Sequence, residues 1–128
     1  MGHRHLAHAV MLESTIEKGF KTLLESRGFK VLKLGTPGTI GVPDRLILRP
    51  RYWPGPPMVV EFKKPKESPR KIQAAIALDW ASRGVHVLPY INSRERANEV
   101  AEWLIEQSRE AYARAKPDEI YDRTFSKE

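Results

Sequence analysis

The chain has 128 residues, 41% of them hydrophobic and 30% charged, with a formal net charge of +6 and no cysteine. That length allows one domain with a single core. The lack of cysteine excludes a disulfide framework and any thiolate metal site, and no apolar run approaches the ~20 residues of a membrane span. No signal-peptide pattern opens the chain, so a soluble, cytoplasmic protein is expected. The positive charge is uneven. Residues 1–73 carry 14 basic and 6 acidic side chains, whereas residues 74–128 carry 8 and 10. A basic half suits a phosphate-backbone ligand, although a solvated surface without a partner would give the same balance.

Residues 1–11 show no apolar periodicity and read as a flexible arm; three histidines in such a terminus, His3, His5 and His8, rarely form a metal site. Leu12, Ile16, Phe20, Leu23 and Leu24 recur on one helical face. Arg27-Gly28 then supplies a basic last turn and a glycine stop. Glu13 and Glu17 lie along one edge of that apolar face, where a carboxylate either flanks the core or reaches over the adjacent sheet. Phe29–Leu34 is a short strand. The loop Gly35–Pro43, with three glycines and two prolines, makes special backbone demands and could approach a phosphate backbone closely at Gly38 or Gly41. Arg45–Leu48 forms the second strand, with Arg45 facing away from Asp44 as a structural or DNA-contacting residue. Tyr52 and Trp53 follow in a proline-rich turn, either folded back or free to stack on bases.

Met58–Lys63 is the third strand. Successive side chains alternate faces, so Glu61 and Lys63 point one way and Phe62 the other. Charges in an apolar run cost several kcal/mol unless they pair or bind metal. With Asp44 at the head of the preceding strand, Glu61 and Lys63 form either a buried ion-pair group or a constellation for metal-assisted phosphodiester hydrolysis. Ser68-Pro69 reads as an N-cap and first helical position, which puts Gln73 in the opening turns of the second helix beside Ile76, Ala77 and Trp80. Val85–Tyr90 is the fourth strand, and His86 within it reads as a satisfied, half-buried histidine. Asn92-Ser93-Arg94-Glu95 has capping-box form. The helix it starts turns Ala97, Val100, Ala101 and Leu104 inward. A core domain over residues 12–107 and a charged, partly helical extension over 108–128 are expected, the helix ending before Pro117.

Gly41-Val42-Pro43-Asp44, followed by Val60-Glu61-Phe62-Lys63, resembles the Asp…Glu-x-Lys signature of the PD-(D/E)xK nuclease superfamily. Glu13–Glu17 before it, the loop Thr36–Gly41 and Pro69–Gln73 after it extend the likeness. In this order they resemble the VRR-NUC family, the virus-type replication-repair nucleases, over roughly residues 12–105. The element order itself argues a mixed sheet flanked by helices. The resemblance implies an α/β, restriction-endonuclease-like core: a mixed four-stranded sheet in the order αβββαβ plus a C-terminal helix. It also implies a Mg2+- or Mn2+-dependent DNA endonuclease acting on branched, flap or Holliday-junction DNA in replication, recombination or repair. Further implications are the backbone carbonyl of Phe62 as a metal ligand and an additional acid on the first helix. Glu17, nearer the Gly28-Phe29 strand start, is the first choice, with Glu13 one turn earlier. A phage-encoded protein working in the host cytoplasm fits a form this small. Resolving a junction would need two active sites and hence a homodimer or higher oligomer.

The residue types suit that chemistry. Asp44 and Glu61 offer oxygen ligands to a hard cation such as Mg2+ or Mn2+. Lys63 can orient water and stabilise developing negative charge, and Gln73 brings donors and an acceptor. Lys64, Lys66, Arg70 and Lys71 cluster after the third strand, where phosphate contact would raise affinity without reading sequence. Two other readings remain: a non-catalytic nucleic-acid-binding module on the same fold, and an RNA-processing nuclease.

Overall fold

The computed structural model describes residues 2–35 and 40–115, with backbone alone for residues 2–12. The elements run α1 (Gly2–Ser26), β1 (Lys30–Lys33), β2 (Arg45–Leu48), β3 (Met58–Val60), α2 (Lys71–Ser82), β4 (His86–Val87) and α3 (Arg94–Ala115). The four strands lie in the order β1-β2-β3-β4. The first two pairings are antiparallel and β3–β4 is parallel, so the sheet is mixed and α2 is the crossover its parallel pair requires.

Strand alternation sorts the core. Val31 opposes Ile47, and Ile47 opposes Met58. All three are buried, and with Val60 and Phe62 they meet Ile16, Phe20 and Leu24 of α1 and Ala97, Val100, Ala101, Leu104 and Ile105 of α3. The Phe20 and Phe62 rings meet edge to face at 5.5 Å. Each fully buried aliphatic or aromatic side chain contributes about 1.5–3 kcal/mol. Val59 and Val87 point to the other face, where Ala74 and Ala77 of α2 cover them. The Glu61 side chain belongs by register to this α2 face, and Arg45 to the α1 face.

Several boundaries differ from the sequence reading. α1 begins at Gly2, within the stretch read as an arm; residues 3–11 contain no proline or glycine, and Leu6, Ala7, Ala9 and Met11 are good helix formers. The cap of α2 is Arg70 rather than Ser68. Arg70 is extended (φ −71°, ψ 162°) and its N–H is accepted by Gln73 Oε1 at 2.7 Å, which places Ser68 and Pro69 outside the helix. The cap of α3 is Ser93, whose Oγ accepts the Arg96 N–H at 3.1 Å. As the sequence led one to expect, α3 continues beyond Gln107 as a helical extension, to Ala115, and Tyr112 packs on Trp53 at 5.0 Å between centroids. Trp53 also meets Phe29 at 6.2 Å, so this ring is folded back rather than free to stack on bases.

Candidate active site

Asp44 stands where the β1–β2 ladder ends. Its carbonyl accepts the Leu34 N–H at 3.0 Å, which continues the ladder one step and fixes the backbone. Its Oδ2 accepts the Phe62 N–H at 2.7 Å, joining the head of β2 to the segment after β3.

That segment departs from a single continuous strand. Val59 O accepts the Leu88 N–H at 2.9 Å, and Glu61 O accepts the Ile91 N–H at 2.9 Å. Two residues on one side thus span three on the other, a bulge at Pro89-Tyr90 beside Glu61. Proline has no N–H to donate, so it suits the unpaired position. Lys63 N–H donates to Ile91 O at 2.8 Å. Pairing with Ile91 therefore uses the groups flanking Phe62, and the Phe62 N–H turns towards Asp44.

Glu61 is half-buried and bonded on one side to α2, where Gln73 Nε2 donates to its Oε1 at 3.2 Å. Burial first, then the charge of Asp44 and a hydrogen bond between the two carboxyl groups, push its pKa up to about 8; Lys63 opposes the shift. A second negative charge beside Asp44 is therefore disfavoured. Two carboxyl groups held this close, against the natural preference of each to ionise, suit a cation between them.

On the other side of Asp44, a polar cavity of about 230 Å3 is lined by Glu13, Glu17, Lys33, Gly35, Asp44 and Arg45. The two helix-one glutamates differ within it. Glu17 Oε1 accepts from Arg45 Nε in a half-buried ion pair. Glu13 is raised from its ordinary value by burial first; Lys64 opposes this, while Asp44 and Glu17 add to it. Arg45 was the residue whose role sequence reasoning left open. Strand alternation offered a face for Arg45, but not its partner on α1, which only the fold supplies.

Among the described residues, no three His, Cys, Asp or Glu side chains gather to hold a metal by themselves. Asp44 and Glu61 would need a backbone oxygen or water to complete a shell around a hard cation, a donor set that fits Mg2+ or Mn2+. Lys63 is half-buried, whereas Lys64, Lys66, Arg70 and Lys71 are exposed on the loop and helix start that follow. Asn92 Nδ2 tethers this loop through Glu67 O at 3.1 Å. Gly41 has φ +84°, a conformation that favours glycine, and lies against Ile72 and Ile76 of α2. Gly38 lies outside the described residues. A mostly apolar cavity of about 230 Å3 runs from Gly41 and Glu61 between the sheet and α2 to Tyr90.

A mixed sheet with α1 and α3 on one face and the crossover α2 on the other, carrying Asp44 and Glu61-Phe62-Lys63 at adjacent strand ends, defines a restriction-endonuclease-like core of the PD-(D/E)xK class. A solved structure titled "VRR_NUC domain" is similar to this chain at 30% sequence identity and a TM-score of 0.60, covering 70% of this chain and 94% of that one. The protein belongs to the VRR-NUC family, a family of nuclease domains. No family model matches the sequence and no curated relative is found. Among the described residues no helix is long and apolar enough to cross a membrane.

Proposed function

We propose that the protein is a divalent-metal-dependent DNA endonuclease that selects branched DNA by shape. The observation that carries this reading is the convergence of two carboxyl groups at adjacent strand ends: Asp44 Oδ2 accepts the Phe62 N–H at 2.7 Å, and Glu61 Oε1 accepts from Gln73 Nε2 at 3.2 Å. Asp44, Glu61 and the Phe62 carbonyl would hold the cation. In an extended segment that carbonyl projects to the same edge as the Phe62 N–H, which Asp44 accepts. When bound, Mg2+ or Mn2+ would neutralise the scissile phosphate and lower the pKa of water.

The chain's own residues supply the rest. Hydrolysis forms a bond from a water oxygen to phosphorus and breaks the bond to the leaving 3′-oxygen; the water gives up one proton to solvent and the leaving oxygen takes one from solvent. Glu61 must first release its proton, and Gln73 then keeps one carboxylate oxygen in place through its Nε2 donor. Lys63, projecting to the same side as Glu61, orients the attacking water and offsets negative charge growing on the phosphate oxygens. Glu13 is the additional helix-one acid, close enough to Asp44 to feel its charge. Glu17 secures Arg45 and so ties α1 to the strand that begins beside Asp44. Lys64, Lys66, Arg70 and Lys71 grip the backbone without reading bases. A homodimer would present two such sites to a junction. DNA and RNA versions of one branched oligonucleotide, each with Mg2+, test the substrate class. Cutting of the DNA form alone is expected, and cutting confined to RNA would replace this reading with RNA processing.

A further inference from the structure

Directly after Lys63 the chain makes one tight turn. The Glu67 N–H donates to Lys64 O at 3.0 Å, closing the four residues Lys64-Pro65-Lys66-Glu67. Pro65 takes the second position and Lys66 the third, where its φ is +69°. Proline followed by a left-handed residue is the pattern of a type II turn. That third position suits glycine or asparagine, because a Cβ crowds the backbone in the left-handed region. Lysine there is strained, and glycine would relieve it.

No contact of the side chain offsets this strain. Lys66 is exposed, and among the described residues its ammonium has neither a carboxylate nor a hydrogen-bond partner. Lys64 differs, since its charge acts on Glu13 of α1. Glu67 acts on Glu13 as well, so the turn borders the site on the side of the helix-one acids.

The backbone, by contrast, is fastened at both ends of the turn. Before it, the Lys63 N–H donates to Ile91 O at 2.8 Å; at its end, Asn92 Nδ2 donates to Glu67 O at 3.1 Å. Adjacent residues of one segment thus grip both ends. Further on, Gln73 accepts the Arg70 N–H at 2.7 Å and donates to Glu61 at 3.2 Å. An unpaired cation is therefore presented from a backbone tied to the same frame as Glu61 and Lys63. Strain of this kind persists only where the surroundings over-determine it, and it gathers at ligand clamps and active sites. A preset turn also loses less conformational freedom on meeting a phosphate than a loose loop does.

We propose that Lys66 is a substrate-positioning residue, its left-handed turn holding the ammonium against the backbone phosphate beside the scissile one. The proposal rests on the nuclease reading and narrows it. Lys66 sets where the strand lies relative to Glu61 and Lys63, whereas Lys64, Arg70 and Lys71 add general attraction.

The test uses the full chain and a labelled four-way junction. Lys66→Gly and Lys66→Asn suit the turn but remove the charge, and Lys66→Arg keeps it. Melting temperature, the salt dependence of junction binding with EDTA and single-turnover cleavage with Mg2+ are measured for each. Lys66→Gly should melt above wild type, yet cut at least about fivefold more slowly below saturation, as a misplaced substrate does. Its binding should lose about one unit of log–log salt slope. Lys66→Asn should share both losses, and Lys66→Arg should cut at nearly the wild-type rate. Asn92→Ala should slow wild type without slowing Lys66→Gly further, because the tether acts through the lysine. Absence of cutting by wild type would overturn the nuclease reading and this proposal with it. Cutting by wild type matched by Lys66→Gly would overturn the proposal alone, and so would a Lys66→Gly that melts no higher than wild type.

Discussion

Gln73 reaches Glu61 from the first turn of α2, its Nε2 donating to Glu61 Oε1 at 3.2 Å while its Oε1 accepts the Arg70 N–H at 2.7 Å. One amide therefore closes the helix start and holds a carboxyl group at the site. Because the oxygen is occupied by a backbone donor, the amide can offer only its NH2 to Glu61. Gln73→Ala should lose about 1 kcal/mol of stability, as a lost cap does, and slow cleavage as well. Gln73→Glu can restore the backbone cap but sets another carboxyl group against Glu61, so it should recover stability without recovering turnover. Denaturant midpoints and single-turnover rates for both variants check this. Recovery of both properties together would leave Gln73 with a capping role alone.

The raised pKa of Glu61 has a stability consequence. The folded protein holds a proton there up to about pH 8, whereas the unfolded chain releases it near the ordinary value of 4.5. Between those values the folded state binds more protons, so stability contributed by this group falls as pH rises. Without divalent ions, the melting temperature should decline from pH 5 to pH 8 beyond any general trend. Glu61→Gln should remove that decline and melt higher than wild type at pH 8. Parallel profiles for the two proteins would contradict the coupling. Since metal must displace the proton, Mg2+ affinity should also increase across pH 6–8.

Glu13 and Glu17 should separate cleanly. Glu17→Gln breaks a half-buried ion pair with Arg45 and should cost about 0.5–1 kcal/mol. A double-mutant cycle with Arg45→Gln would recover that coupling. Glu13→Gln should leave stability unchanged or slightly higher, because burial already disfavours its charge, and should lower turnover. Loss of turnover confined to Glu17→Gln, with stability unchanged, would reverse the two roles.

Lys66 and Arg70 are exposed and lie on the loop that Asn92 tethers. Reversing both charges should weaken DNA binding and flatten its dependence on salt by about two units of log–log slope, one for each lost phosphate contact. Fluorescence anisotropy across a salt series reads this directly. An unchanged slope would return both residues to a solvated face.

The sheet and its two helical layers were legible because the apolar positions carry clear periods: Ile16, Phe20 and Leu24 on α1, and Ala97, Val100, Ala101 and Leu104 on α3. Asp44 and Glu61 were legible because charge in an apolar strand needs a reason. The α2 cap was misread because a Ser-Pro pair normally opens a helix, whereas here the Gln73 side chain satisfies Arg70 instead. The bulge at Pro89-Tyr90 depends on pairing between distant segments, and no local pattern reports its register. The Arg45–Glu17 pair likewise requires knowing that α1 crosses the head of β2. The helical start of α1 carries no apolar stripe to announce it.

The most direct test of the site is cleavage of a labelled four-way junction and a matched linear duplex by wild type and Glu61→Gln, each with Mg2+, Mn2+ or EDTA. The account predicts metal-dependent cutting of the junction in preference to the duplex. That cutting should be lost in Glu61→Gln, while junction affinity stays within a few-fold. Tight junction binding by wild type without cutting under either metal, or cutting that survives in Glu61→Gln, would contradict it.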